Sequence, residues 1–166
     1  MNFVKGLLAV LGRVMIALIF LMSAVGNKIP KFNDVAELMA NEGVPQPKVM
    51  LAGAIAFLIL GALSIILGYW ARVGAFLLLV FLMAATYYFH DFWKATPERQ
   101  SLEMINFMKN LSLMGTMVFL MANGGGPWSL DNRVRKAVEA EPKAQPRVER
   151  GTERGTERAT EPQPRR

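Results

Sequence analysis

The sequence predicts an all-α protein: an integral membrane four-helix bundle with a short amphipathic helix between spans one and two, and a disordered C-terminal tail. Three observations predict it. Hydrophobic residues make up 52% of the 166. Four apolar stretches each reach the ~20 residues that a helix needs to cross a ~30 Å hydrocarbon core. Composition then changes abruptly near residue 131, dividing the chain into a membrane domain over 1–131 and a charged tail over 132–166.

The first span is "GLLAVLGRVMIALIFLMSAVGN", 6–27, interrupted once by Arg13. A cleaved signal peptide is its rival, with Lys5 as the n-region and "SAV" (23–25) as a weak cleavage site. The apolar stretch is long and three more spans follow, which favours a permanent anchor. The connection after it, 28–48, has Phe32, Val35, Leu38 and Met39 at helical spacing, with Asp34 and Glu37 three residues apart in a capping-like arrangement. Gly43, Pro45 and Pro47 stop that helix. A helix lying on the membrane surface fits this pattern, as does a helical loop packed over the bundle.

The second span, "VMLAGAIAFLILGALSIILGYW" (49–70), carries no charge and lacks the polar face of a helix in a soluble bundle. Gly61, Ser64 and Gly68 repeat at helical spacing, where small side chains let helices approach closely. Trp70 to Arg72 leaves almost no loop, so spans two and three form a tight antiparallel hairpin. The third span, 72–93, is uncharged from Val73 until His90. The fourth, 103–123, carries Lys109. "NGGGPWS" (123–129) ends a helix instead of following a strand and lacks the Lys-Ser/Thr completion of a phosphate loop. It reads as a helix stop, with Trp128 as an interfacial anchor.

From Asn132 to Arg166 there are ten Lys/Arg and six Asp/Glu, so the tail carries +4 of the formal net charge of +6. Its last part repeats Arg-small-Thr-Glu three times from Arg150 to Glu161, with no apolar residue larger than alanine after Val148. Such a segment cannot bury enough surface to offset chain entropy, and disorder is expected. Because the basic charge belongs mostly to this tail, no nucleic-acid partner is expected; the lipid bilayer is the principal partner.

Residue types exclude several chemistries. The chain has no cysteine and one histidine. Thiol–disulfide exchange and cysteine-held zinc or iron–sulfur sites are ruled out within the chain. A haem with two imidazole ligands from one protomer is ruled out too. No metal site is expected.

Basic residues near the span ends favour N- and C-termini in the cytoplasm: Lys5, Arg72, Arg133, Arg135, Lys136 and Lys143 lie on the side of both termini. Ionisable residues within spans are costly and mark candidate sites. With this orientation Lys28, His90 and Asp91 fall at one outer level, and Lys109 lies ~8–9 Å below the outer start of span four. Arg13 is the inner-side intramembrane charge. Tyr87, His90 and Asp91 are related by three and four residues, as are Asn106, Lys109 and Asn110. Facing inward, they would form a polar pocket with Lys28, in which Asp91 or His90 partners Lys109. The competing reading is an aromatic belt around His90 with Lys109 and Arg13 snorkelling to the headgroups.

The segments "GRVMIALIFLMSAVGNKI", "LGALSIILGYWARVGAFLLL", "ATYYFHDFW" and "FMKNLSLMGTM" followed by "GGGPWSLD" together resemble the DoxX family of small bacterial and archaeal membrane proteins. The resemblance covers roughly 10–131. It implies a multi-pass protein of the bacterial inner membrane with recurrent polar sites at Arg13, Lys28, His90 and Lys109–Asn110. The family's name comes from a subunit of a thiosulfate:quinone oxidoreductase, so the resemblance implies a link to a redox or oxidative-stress partner. Many relatives carry a glutamate three or four residues before Gly61, where this chain has Phe57 and Leu58. That departure weakens an enzymatic reading.

Three functions follow as expectations. The first is a non-catalytic membrane subunit or anchor of a quinone-linked or oxidative-stress redox system. The second is a quinone- or small-molecule-binding oxidoreductase component; no cofactor is evident in the residues, quinone is the candidate, and electrons must come from a partner. The third is a small transporter, against which stands the lack of an inverted repeat. Catalysis, substrate, partner identity and oligomeric state are not legible in the sequence.

Overall fold

The computed structural model describes residues 2–140, which form six α-helices. Helix α1 spans Asn2–Ser23 and continues as one π-helical turn, Ala24–Lys28. Helix α2 is Phe32–Asn41, α3 Pro47–Leu67, α4 Ala71–Phe89, α5 Pro97–Asn123 and α6 Leu130–Ala140. Four segments are long and apolar enough to cross a membrane: Phe3–Lys28, Pro47–Leu67, Ala71–Phe89 and Pro97–Asn123. They alternate in direction, so one end of the bundle carries the 68–70 hairpin and α6, and the other carries α2 and His90.

Side-chain burial is inverted relative to a water-soluble bundle. The centre is built from Ala17, Phe20, Ala24, Leu58, Ala62, Ile65, Ala75, Leu78 and Met117, while Leu7, Leu18, Met22, Leu60, Phe76, Val118 and Phe119 face outward with half or more of their surface exposed. An apolar belt of this kind is stable only against lipid. With hydrocarbon on both sides of the comparison, helices associate by close packing, and small residues supply it. Gly61 of α3 meets Gly74 of α4: a Cβ on Gly74 would lie 2.5 Å from Ser64 Oγ and 2.9 Å from the Gly61 carbonyl oxygen. The first span is part of this core, and Arg13 within it is buried.

The hairpin between α3 and α4 is closed by local chemistry. Gly68 adopts φ +63, its N–H bonds the Ile65 carbonyl at 3.1 Å, and the Tyr69 N–H bonds the Ser64 carbonyl at 3.1 Å. This pair of bonds is the Schellman helix stop, which uses a left-handed glycine. Ser64 Oγ donates into the same turn, 2.6 Å from the Tyr69 carbonyl oxygen. Pro47 and Pro97 open α3 and α5 at the first turn, where proline loses no helical hydrogen bond.

Several boundaries differ from the sequence expectation: the fourth span begins at Pro97, not at residue 103, and the second ends at Leu67, not at residue 70. The third span ends at Phe89, not at residue 93; His90 leaves the helix at φ −133, and the Lys94 N–H closes a turn on the Asp91 carbonyl at 2.8 Å. A reversal is needed there to bring α5 back against α4, and Phe92 completes it by packing edge-on to Phe107, ring centroids 5.3 Å apart. Helix α2 forms, but it starts at Phe32 without a side-chain cap. Asp34 lies inside its first turn, where its charge meets the helix dipole. Ala36 and Met39 bury this helix against Leu51, with Ile55, Tyr88 and Phe89 around them. Finally, residues 132–140 are helical as part of α6, although the tail expected to be disordered begins at 132. Leu130, Val134 and Val138 recur every four residues and support a helix where net charge suggested none. The rest of that tail, 141–166, lies outside the described residues.

Candidate functional site

At the histidine end, the backbone turn after α4 points His90 toward α5. His90 Nδ1 lies 2.9 Å from Glu103 Oε2. An ionised carboxylate can only accept, so Nδ1 carries the proton in this bond. Arg99, one turn earlier on α5, donates Nη2 to Glu103 Oε1 at 3.2 Å. Both carboxylate oxygens are therefore engaged, as a buried acid requires, and Glu103 is 8% exposed. Two turns deeper, Asn110 Nδ2 donates to Thr86 Oγ1 of α4 at 2.9 Å. Glu103, Asn106 and Asn110 form the inward face of α5.

Helix α5 has 27 residues and spans ~40 Å, more than the ~30 Å hydrocarbon core. The charged residues of its first turns and of the 90–96 turn, Asp91, Lys94, Glu98 and Arg99, favour headgroup level for this end. Water and headgroups there can serve the half-buried His90. Asp91 pairs with Lys94 at 3.0 Å, and that hydrogen bond holds the Lys94 ammonium's pKa above its ordinary value.

The expected polar pocket of Lys28, Tyr87, His90, Asp91, Asn106, Lys109 and Asn110 is thus only partly assembled. His90 and Asn110 join α4 to α5, but through Glu103 and Thr86, neither of which the sequence reading singled out. Lys109 is exposed and pairs with neither His90 nor Asp91; His90 bonds Glu103 and Asp91 bonds Lys94. At 3.6 residues per turn Lys109 is rotated about 120° from Glu103, which turns it outward. It lines an open groove of about 380 Å³ with Met104, Ile105, Met108 and Ser112. Tyr87 also faces outward, 69% exposed, edge-on to Tyr88 at 5.1 Å. Lys28 sits apart: its Nζ bonds Ser23 Oγ at 2.7 Å and lies 5.4 Å from the centre of the Phe81 ring. The π turn makes the Ser23–Lys28 bond, because it brings residues five apart into register.

The opposite end holds a second polar cluster. Arg13 is 4% exposed and does not snorkel. Its Nε donates to the Ala9 carbonyl at 3.3 Å and its Nη2 to the Trp128 carbonyl at 3.4 Å. Nη1 lies against Gly68 without a hydrogen-bond partner. Trp128 packs over Gly6 and edge-on to Phe3 at 5.3 Å, and Ser129 is buried with its Oγ donating to the Gly126 carbonyl at 2.7 Å. Asp131 accepts from the N–H groups of Trp70 at 2.9 Å and Ala71 at 3.1 Å, and its own N–H donates to the Gly68 carbonyl at 2.9 Å. The segment read as a helix stop also caps a helix sixty residues away. Asp131 stands in the first turn of α6, and nothing local names α4 as a recipient of its carboxylate.

Comparison with known proteins places these features in a family context. The DoxX family model matches residues 8–91, from α1 to the turn that carries His90 and Asp91. The inner membrane protein YphA of Escherichia coli (strain K12) is 30% identical over 129 residues, covering 78% of this chain and 91% of that protein. No solved structure matches.

Proposed function

The chain belongs to the DoxX family, and from that premise we propose that it is a non-catalytic subunit of a bacterial inner membrane, anchoring or assisting a redox partner. The similarity to an Escherichia coli inner membrane protein supports the location. The observation that carries the role is the closure of the polar network at the histidine end. His90, Arg99 and Glu103 are bonded to one another, and Asn110 is bonded to Thr86. These bonds tie α4 to α5 and leave the ionisable side chains engaged with each other. A chain with no cysteine brings no thiol–disulfide couple of its own to a redox system.

Purification of the full chain from its native membrane in mild detergent tests this. A soluble or membrane oxidoreductase should co-elute at near-stoichiometric amount and be lost when the detergent is made harsher. Its absence across several mild detergents would remove the subunit reading.

A quinone-binding role is the second reading, favoured by the groove beside Lys109. It opens on the lipid-facing side of α5 and is lined by Met104, Ile105 and Met108 around one cation. An ammonium can donate to a quinone carbonyl while the thioether and aliphatic side chains hold the ring. In this reading Lys109→Met abolishes binding of a short-chain quinone by the purified protein and His90→Ala leaves it intact.

A further inference from the structure

The end of the bundle opposite His90 carries a cavity of about 600 Å³ between the 68–70 hairpin and the start of α6. Trp70, Arg72, Asn132 and Arg135 line it together with the Gly124–Gly126 backbone. Its charge is unbalanced. The one acid in its wall, Asp131, is committed to the Trp70 and Ala71 N–H groups. Arg72 makes a long contact of 3.4 Å to the Ala122 carbonyl. Arg135 donates to Asn132 Oδ1 at 3.0 Å and meets Glu139 at 3.8 Å on the exposed side of α6. Behind the wall, next to the buried Ser129, lies Arg13 with its unpartnered Nη1. Two guanidinium groups, those of Arg72 and Arg135, thus line the space, and a third lies behind its wall.

Helix α6 leads out of this cavity with an apolar stripe that nothing in the bundle covers. Leu130, Val134 and Val138 are 39%, 58% and 66% exposed and lie within about 80° of one another around the helix. Arg133 and Arg135 flank the stripe, each about 60° from its edge. Apolar residues between arginines are the pattern of a helix lying in a bilayer interface, with its stems in the acyl region and its cations among phosphates. The stripe also continues the apolar belt, since Trp128 at its start packs on Phe3 and Gly6 of α1.

We propose that this end of the molecule is a binding site for an anionic phospholipid: the headgroup phosphate enters the cavity between Arg72 and Arg135, and α6 lies along the same leaflet. Guanidinium groups suit the ligand because they bond phosphate oxygens in pairs. Asn132 and the glycine backbone add neutral donors, and the indole of Trp70 sits at headgroup depth. The site stands apart from the histidine end and does not rest on the redox assignment.

The test uses the full chain with Trp93→Phe, so that Trp70 and Trp128 report from the cavity end. It is reconstituted in phosphatidylcholine nanodiscs containing a small fraction of lipid brominated high in its acyl chains. Brominated phosphatidylglycerol should quench the indole fluorescence as though enriched at least about fivefold over brominated phosphatidylcholine, the scale expected for one fully effective arginine near anionic lipid. Arg72→Gln with Arg135→Gln should bring that preference below about twofold, and the paired Lys replacements should restore most of it. Both arginines are exposed, so these variants keep the bundle; an unchanged gel-filtration profile checks this. Equal quenching by the two lipids, or a preference that survives the paired Gln variant, overturns the proposal. So does loss of the preference on adding inorganic phosphate at constant ionic strength, which would assign the cavity to a free anion.

Discussion

Glu103 accepts from two elements at once, the imidazole of His90 after α4 and the guanidinium of Arg99 on α5. Removing one donor leaves a buried carboxylate oxygen unsatisfied, and such a loss costs ~1–3 kcal/mol. His90→Ala and Glu103→Ala should therefore each lower the thermal midpoint in detergent. Because both break the same bond, the double variant should be less destabilised than the sum, by a coupling energy of about 1 kcal/mol. Strict additivity of the two losses would show that the bond contributes nothing. His90 was legible in the sequence because it is the chain's single histidine at the end of an apolar run. Glu103 was not, because it stands at the first position of the fourth apolar stretch, where an acid reads as a boundary marker. Its distance from Asn110, seven residues or two turns, is the signal that would have placed it on the inward face. Lys109 misled for the complementary reason: a spacing of three from Asn106 permits one face without requiring it, and the outward rotation gives the ammonium a route to the headgroups.

At the scale of elements, the four spans and the tight hairpin followed from length and hydropathy, since an apolar run of that size has few other fates. What periodicity leaves out are contacts between segments far apart in sequence. Helix α4 begins with Trp70 in the left-handed region, φ +50, and no side chain of its own caps it. Asp131 supplies the cap from sixty residues away, satisfying two of the N–H groups that every helix start leaves without partners. Asp131→Ala should destabilise the folded protein by ~1–2 kcal/mol, the range for a lost N-cap. Asp131→Asn, which keeps one acceptor oxygen, should fall between Ala and the parent chain. Equilibrium unfolding in mixed detergent micelles measures both, and an Ala variant as stable as its parent would remove the cap from the account. The same contact explains why "GGGPWSLD" is built as it is. Gly125 lies where a Cβ would stand 2.9 Å from Ser129 Cβ and 3.2 Å from Gly68 Cα, so a glycine there lets the turn close onto the hairpin.

The whole molecule has an inverted surface, and the basic residues at its two ends bear on how it sits in the bilayer. Lys5, Arg72, Arg133, Arg135 and Lys136 stand at the α6 end; Lys28, Lys31, Lys48, Lys94 and Arg99 stand at the other. Among these, the positive-inside rule counts five against five. Acids carry little weight in that rule, so the basic residues that follow the last span decide between the ends. Ten basic residues follow Leu130 in sequence, and those nearest the last span act on its retention. The α6 end is therefore expected in the cytoplasm, beside the leaflet whose anionic lipids would occupy the Arg72–Arg135 cavity. An alkaline phosphatase fused after Arg166 should be inactive and a fluorescent protein at the same position bright. An active phosphatase would reverse the orientation and place His90, Glu103 and the Lys109 groove on the cytoplasmic side. Neutralising Arg133, Arg135 and Lys136 together should raise phosphatase activity in a fraction of molecules, because near the spans Lys5 and Arg72 would then face five basic residues at the other end.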